Sequence, residues 1–137
     1  MDEVRAKHLE MVQAVINRLA GNSFTLKGWS ITLVSALLAL SAKELNWYYA
    51  VIALVPAMSF WGLDAYYLRQ ERLFRALYEA IRDPGAGPVI PSFSMNTAPI
   101  QDRVVCWFQV FWSKTLFSLH GSIVVVIVAV IIYGVRH

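Results

Sequence analysis

Three long apolar runs alternate with charged segments along this chain. The first run predicts a helix over residues 24–42, and the second predicts a helix over residues 45–82 whose first half is uncharged. The third predicts a helix over residues 115–135. Each uncharged run is close to the roughly 17–25 apolar residues that a helix needs to cross a bilayer. The pattern therefore predicts an all-α integral membrane protein with three transmembrane helices.

The segment before the first run is amphipathic. Over residues 4–20, apolar side chains recur at three- and four-residue steps, which places them on one face of a helix. These positions are Leu9, Val12, Ile16 and Leu19. The following Gly21-Asn22-Ser23 predicts a break, because Gly and Asn suit a helix end and Ser can cap the next helix. The amphipathic helix can pack on a neighbouring helix, lie on lipid headgroups or contact another subunit.

A second amphipathic stripe, Leu73, Leu77 and Ile81, extends the second helix beyond the membrane. Residues 83–100 contain all but one of the prolines and predict an irregular linker. The aromatic residues 101–114 predict an interfacial helix. If residues 104–120 instead enter the membrane and return, the chain ends on the side where it began. We treat residues 1–137 as a single membrane domain with amphipathic cytoplasmic and interfacial helices.

The composition favours the same fold class. Hydrophobic residues make up 58% of the 137 residues and charged residues 15%, whereas soluble domains have about 45–50% and about 25%. A small domain buries the least of its surface, so the excess apolar surface is expected to face lipid. The single cysteine, Cys106, excludes an intramolecular disulfide and a cysteine-rich metal site.

The distribution of arginine and lysine predicts the orientation in the membrane. Basic residues precede the first apolar run and follow the second, whereas the hairpin between them offers only Lys43 beside Glu44. We therefore expect a multi-pass protein of the bacterial inner membrane, with a cytoplasmic N-terminus and central region. The charged first 18 residues lack the apolar core of a secretory signal.

Asp64 is the first candidate for a functional polar residue. It lies at the end of the second apolar run, where a carboxylate is costly unless it is paired or hydrated. Lys27 is expected at the same level of the first span and is its natural partner. Two interpretations stay open: a structural Lys27–Asp64 ion pair that sets the helix register, or a charge at the mouth of a pore.

His120 and three arginines are further candidates. An intramembrane histidine can act in gating or make one interhelical hydrogen bond. Arg69, Arg72 and Arg75 follow the second span, where they can contact anionic lipid, bind an anionic ligand or serve only as topology signals.

The first span also carries small and hydroxyl side chains that suit a helix contact or the lining of a pore. Thr32, Ser35 and Ala39 recur at three- and four-residue spacing, so they share one helix face. We take this face as the candidate pore lining.

The sequence shows no arrangement of residues that would support catalysis or bind a metal. The carboxylates are scattered near helix ends, the three histidines are dispersed, and there is no phosphate-cradling glycine loop. The aromatic and basic stretches suit interface anchoring better than stacking on bases. We therefore expect neither enzymatic activity nor a cofactor, a metal or a nucleic-acid partner.

Two stretches, residues 17–40 and 60–82, resemble a recurrent family of small, uncharacterised bacterial multi-span membrane proteins. The order of an amphipathic helix, two spans and a basic amphipathic helix is also similar to the SLATT-type effectors of bacterial conflict systems. That architectural resemblance implies a membrane pore that opens on a partner's signal in antiphage defence. The third apolar segment of this chain departs from that pattern.

Two functions from different classes follow from these observations. The first is a homo-oligomeric channel or pore-forming effector, because three spans cannot enclose a water path in one copy. The second is a non-conducting membrane scaffold or anchor that binds a cytoplasmic protein or signal ligand through its polar helices. The two differ in whether a hydrated path crosses the bilayer.

Orientation is directly testable with topology reporters. A reporter fused at Met1 or within residues 84–100 is expected to read cytoplasmic, and one within residues 43–46 periplasmic, because the basic residues flank the first two spans. A periplasmic reading at residue 90 would overturn the assignment.

Overall fold

The computed structural model describes residues 3–83, 85 and 87–136, and this part of the chain is helical with no β-strand. The predicted linker residues Pro84 and Ala86 lie outside this described part. Three stretches are long and apolar enough to cross a membrane, which confirms the predicted all-α, three-span fold class. The elements are α1 (Glu3–Glu44), α2 (Tyr48–Arg82), a 3₁₀ helix (Ala98–Arg103), α3 (Trp107–Phe111), α4 (Lys114–Leu116), a π-helical turn (Phe117–Gly121) and α5 (Ser122–Arg136).

The predicted break at residues 21–23 is wrong, because α1 runs unbroken through this sequence. Gly21 has no positive φ, so it does not act as a helix-terminating residue. Ser23 does not cap a helix; its side chain is buried and bonds to a residue of α2. A tertiary contact along the helix outweighs the roughly 1 kcal/mol that an interior glycine costs.

Helices α1 and α2 form a long antiparallel hairpin. The turn between them contains Leu45 with a positive φ of 52°, and the Asn46 amide donates to the Ser41 carbonyl. We call the end of the bundle that holds this turn the hairpin end, and the opposite end the polar end.

At the polar end the two predicted apolar stripes pack against each other. Leu9, Val12 and Ile16 of α1 form one buried cluster with Leu73, Leu77 and Ile81 of α2. The amphipathic start of α1 therefore packs on a neighbouring helix within the same chain. Ile100 of the 3₁₀ helix completes the cluster, so the segment after α2 folds back onto the hairpin.

In the apolar half of the bundle, α2 lies between α1 and α5. Ala53 and Ala57 of α2 are buried together with Val34 of α1 and Ile127 of α5. Alanine at these contacts lets the helices approach closely. Helices α1 and α5 make few contacts with each other, so α2 is the central element of the three.

The predicted single interfacial helix over residues 101–114 is wrong. The backbone is extended at Val104, Cys106 and Ser113, which divides this region into the 3₁₀ helix, α3 and α4. Hydrogen bonds to α2 hold these pieces. The Trp107 indole donates to the Gly62 carbonyl at 3.0 Å, and the Val105 carbonyl accepts from Arg69 Nε at 3.1 Å.

His8 attaches the irregular segment after α2 to the start of α1. The buried ring accepts a hydrogen bond at Nδ1 from the Phe93 amide, 3.3 Å away, and Nε2 lies 2.7 Å from the Ser94 carbonyl oxygen. A ring that accepts at Nδ1 and donates from Nε2 is neutral, with its proton on Nε2. The histidine thus satisfies two backbone groups of a segment that has little regular structure.

Replacing His8 with Ala is expected to loosen residues 88–96 selectively. Loss of two hydrogen bonds costs about 1–3 kcal/mol, and proteolysis within this segment should become faster while the helices stay intact. The neighbouring exposed Lys7→Ala is the matched control. Equal cleavage rates in both variants and the parent protein would show that His8 does not hold the segment.

Candidate functional site

Asp64 is completely buried where α1, α2 and the π-helical turn meet. It lies on α2 at the polar end of the apolar half of the bundle. Each of these three elements contributes a polar side chain to the site. We call Ser23, Lys27, Asp64 and His120 the Asp64 cluster.

The carboxylate of Asp64 accepts from all three other members of the cluster. Oδ2 lies 2.7 Å from Lys27 Nζ and 2.8 Å from His120 Nε2. Oδ1 accepts a hydrogen bond from the Ser23 hydroxyl, and that hydroxyl in turn accepts from Lys27 Nζ at 2.8 Å. Both carboxylate oxygens are therefore satisfied within a single chain, as a buried charge requires.

The continuity of α1 explains how two of the donors reach one carboxylate. Ser23 and Lys27 are four residues apart, so they lie one above the other on the same helix face. A helix break at Gly21-Asn22-Ser23 would have removed this alignment. Lys27 remains 26% exposed, so its side chain is the part of the cluster that reaches the surface.

His120 comes from the π-helical turn, five residues that interrupt the helix between α4 and α5. Such turns are rare and occur often at functional sites. The ring is buried, and its Nδ1 has no hydrogen-bond partner in the described part of the chain. We assign the neutral tautomer with the proton on Nε2, because a second ring proton would be a buried donor without an acceptor.

Trp61 covers the histidine side of the cluster. Its ring stacks on Phe111 with centroids 4.4 Å apart and planes 8° apart, and on His120 at 5.9 Å and 13°. The Trp61 indole also donates to the Phe111 carbonyl at 2.7 Å. The stack packs on the buried His120 ring that bonds to Asp64, and an electrostatic contact between buried groups is stronger than one in water.

The geometry brings the predicted partners Lys27 and Asp64 together and adds His120 to them. It does not place Asp64 at an open channel mouth, since the carboxylate is enclosed by protein. The cluster is chemically suited to hold three helices in one register. Within the described residues, no group of three or more His, Cys, Asp or Glu side chains is arranged to hold a metal ion.

The predicted pore-lining residues lie elsewhere, on the outer face of α1. Thr32, Ser35 and Ala39 are exposed and contribute nothing to the Asp64 cluster. They belong to a longer row of exposed small residues that we call the small-residue stripe. Its members are Gly21, Thr25, Gly28, Thr32, Ser35, Ala39 and Ala42.

The three predicted anion-contacting arginines have different surroundings. Arg69 donates to the Val105 carbonyl and, at 3.1 Å, to Gln101 Oε1, so it fastens the segment after α2. Arg75 pairs with Glu71 at 2.8 Å on the same helix. Arg72 is half-buried and makes no side-chain hydrogen bond or ion pair to any described residue.

Sequence reasoning missed Ser23 and Trp61 as parts of the site. Ser23 was interpreted as a helix cap, although its position four residues before Lys27 was a usable signal. Trp61 is one of several aromatic residues in and beside the second apolar run. Its position three residues before Asp64 places the two side chains on neighbouring parts of one helix face.

Comparison of the chain with protein-family models, with curated proteins and with solved structures gives no match. The geometry of the chain itself therefore carries the functional interpretation.

Replacing Asp64 and Lys27 by Ala, singly and together, is expected to give strongly non-additive changes in the free energy of unfolding. Removing one partner leaves the other charge without compensation. The losses of stability in the two single variants should therefore add up to more than the loss in the double variant. We expect a coupling energy of about 1–3 kcal/mol. The matched control is the exposed Arg75–Glu71 pair, whose coupling should stay near about 0.5 kcal/mol. Additive effects for Lys27 and Asp64 in detergent melting experiments would refute the pairing.

Proposed function

We propose that the protein is a subunit of a homo-oligomeric membrane channel or pore-forming effector, in which α1 contacts its copies around a central axis. The small-residue stripe is the observation that carries this proposal. It runs along the whole apolar length of α1 and is exposed in the isolated chain.

The spacing of the stripe is that of a helix-packing seam. Gly21, Gly28, Ser35 and Ala42 are seven residues apart, and Thr25, Thr32 and Ala39 form a second series with the same period. A seven-residue repeat keeps one seam facing a partner helix along a left-handed pair. In a membrane, small residues at the seam let two backbones come close enough for dispersion and hydrogen bonding to act.

Within the described part of the chain the stripe residues are exposed, although Ser35 and Ala42 line grooves shared with α5. Helix α2 occupies the opposite face of α1, where Ser23, Ser30 and Val34 are buried. A second copy is the partner that is always present at the same depth and orientation. Closed cyclic symmetry then satisfies the same face of every subunit.

The hydroxyl groups of the stripe suit a hydrated axis. Thr25 and Thr32 donate to carbonyl groups of their own helix, at 3.0 and 2.9 Å, and keep their oxygen lone pairs for water. With α1 around the axis, the hydroxyls of Thr25, Thr32 and Ser35 recur along it. Helix α5, which is almost wholly aliphatic, would form the outer layer against lipid.

We place this assembly in the bacterial inner membrane with the polar end in the cytoplasm. The support is the concentration of arginine and lysine at the polar end, outside the apolar spans. The similarity of the helix order to conflict-system effectors is the basis for proposing a role in bacterial defence signalling.

A non-conducting scaffold is the second candidate, and one specific observation favours it. Both oxygens of the buried Asp64 carboxylate are satisfied inside one copy, so this charge requires no water path. In that case the folded polar end would bind a cytoplasmic partner, and the stripe would only join copies.

The variant Gly28→Leu tests whether the small-residue stripe joins copies of the protein and whether the assembly conducts ions. A leucine in the middle of the stripe is expected to block close helix approach, reduce the solubilised mass to that of a monomer and abolish ion flux in liposomes. Val55→Leu on the exposed face of α2 is the control and should change neither.

A monodisperse parent monomer in mild detergent and in nanodiscs would contradict the proposal. If the parent protein is an oligomer that Gly28→Leu dissociates, but this oligomer conducts no ions, the result would favour the scaffold over the channel.

A further inference from the structure

A cationic groove lies at the polar end, between α2 and the chain that follows the 3₁₀ helix. It has a volume of about 310 Å³ and opens to the outside. Arg72, Arg75 and Glu79 line it from α2, and Arg103, Val104 and Val105 line it from the opposite side. Three arginines therefore line one groove that carries a single lining carboxylate.

Arg72 is the arginine in this groove for which the described residues supply no hydrogen-bond or ion-pair partner. Its side chain is half-buried, yet it makes no hydrogen bond or ion pair to any residue in the described ranges. A guanidinium has five N–H donors in a planar fork that matches phosphate oxygens. Partial burial of the Arg72 guanidinium beside two other arginines is unfavourable unless an anion binds there.

The surrounding residues hold the groove in shape. Arg69 donates to the Val105 carbonyl and fixes the wall opposite Arg72. Arg75 is oriented by its pair with Glu71 at 2.8 Å. The Arg103 guanidinium lies directly against Gly87, where any side-chain carbon would clash with it.

The position of the groove fits the phosphate level of a bilayer. Arg72 is eight residues beyond Asp64 on a continuous helix, which corresponds to about 12 Å along the axis. The headgroup layer extends about 5–8 Å beyond the hydrocarbon on each side, and an arginine side chain can reach back toward it. Trp107, two residues after the groove wall, donates to Gly62 at the end of the apolar part of α2.

We propose that this groove binds a phosphate group, with Arg72 as its central contact and Arg75 and Arg103 as flanking contacts. The phosphate comes from an anionic lipid headgroup or from a soluble phosphate compound. This inference does not depend on whether the protein conducts ions.

Binding is measured on the full-length protein with two probes. The lipid arm uses phosphatidylcholine nanodiscs containing phosphatidic acid and counts the phosphatidic acid molecules that stay bound on release into the mass spectrometer. The soluble arm titrates inorganic pyrophosphate into the protein in phosphatidylcholine nanodiscs by calorimetry. Arg72→Met keeps the length of the side chain but removes the charged fork. Arg82→Gln, an exposed arginine near the end of the same helix, is the control.

Arg72→Met is expected to weaken binding about tenfold to a hundredfold in whichever arm shows it, because hydrogen bonds to a charged partner are lost. Arg82→Gln should leave binding unchanged. In phosphate-free buffer, Arg72→Met should melt at no lower temperature than the parent protein, since it removes an unpaired charge. If Arg72 had only a structural role, the variant would melt at a lower temperature.

The two arms identify the source of the phosphate. Retention of phosphatidic acid without pyrophosphate binding assigns the groove to lipid, and the reverse assigns it to a soluble ligand. Binding in both arms, each dependent on Arg72, shows that the phosphate group alone is recognised. No binding in either arm overturns the proposal. Equal losses in Arg72→Met and Arg82→Gln also overturn it, because they would reveal only general attraction to a basic surface.

Discussion

A carboxylate among apolar helices must have its charge and both oxygens satisfied by the protein. Asp64 meets this requirement through three donors from two other elements: Ser23 and Lys27 of α1, and His120 of the π-helical turn. No two of the helices can slide or rotate without breaking at least one of these bonds. The register of the bundle depends on this single buried charge more than on its aliphatic contacts, which tolerate rearrangement.

The same bonds determine which face of α1 is left for other partners. With Ser23 and Lys27 directed at Asp64, Ser30 is buried two turns further along the same face. Gly28, Thr32 and Ser35 then point outward. The inner polar cluster and the outer small-residue stripe are therefore two consequences of one helix rotation, and a change at Asp64 should affect both stability and assembly.

Much of the fold could be predicted from the sequence because lipid demands long, uncharged helical runs. The two apolar stripes at the polar end followed from helical spacing, and the Lys27–Asp64 partnership followed from the matching level of the two residues in their spans. The continuity of α1 did not, because Gly21-Asn22-Ser23 carries local signals for a helix end that long-range packing overrides. His120 and Asp64 are 56 residues apart in the sequence. Their contact depends on the five-residue π-helical turn that contains His120. Periodicity along the chain contains no information about such a turn.

The interfacial region illustrates the same limit. Residues 101–114 have the composition of an amphipathic helix, but their backbone follows the hydrogen bonds that α2 offers. Arg69 holds Val105, Gly62 accepts from Trp107, and Trp61 donates to Phe111. These tertiary bonds break the segment into short helical pieces, and they also create the wall of the cationic groove.

The rotation of α1 is the point on which the site and the proposed assembly both depend, and cysteine cross-linking in membranes measures it directly. In a Cys106→Ser background, Thr32→Cys should be joined to its counterpart in a neighbouring copy by a short thiol-specific cross-linker. Ser30→Cys, two residues away but buried against α2, should not react. Efficient cross-linking at residue 30, or equal yields at both positions, would contradict the orientation of α1 that the Asp64 cluster imposes.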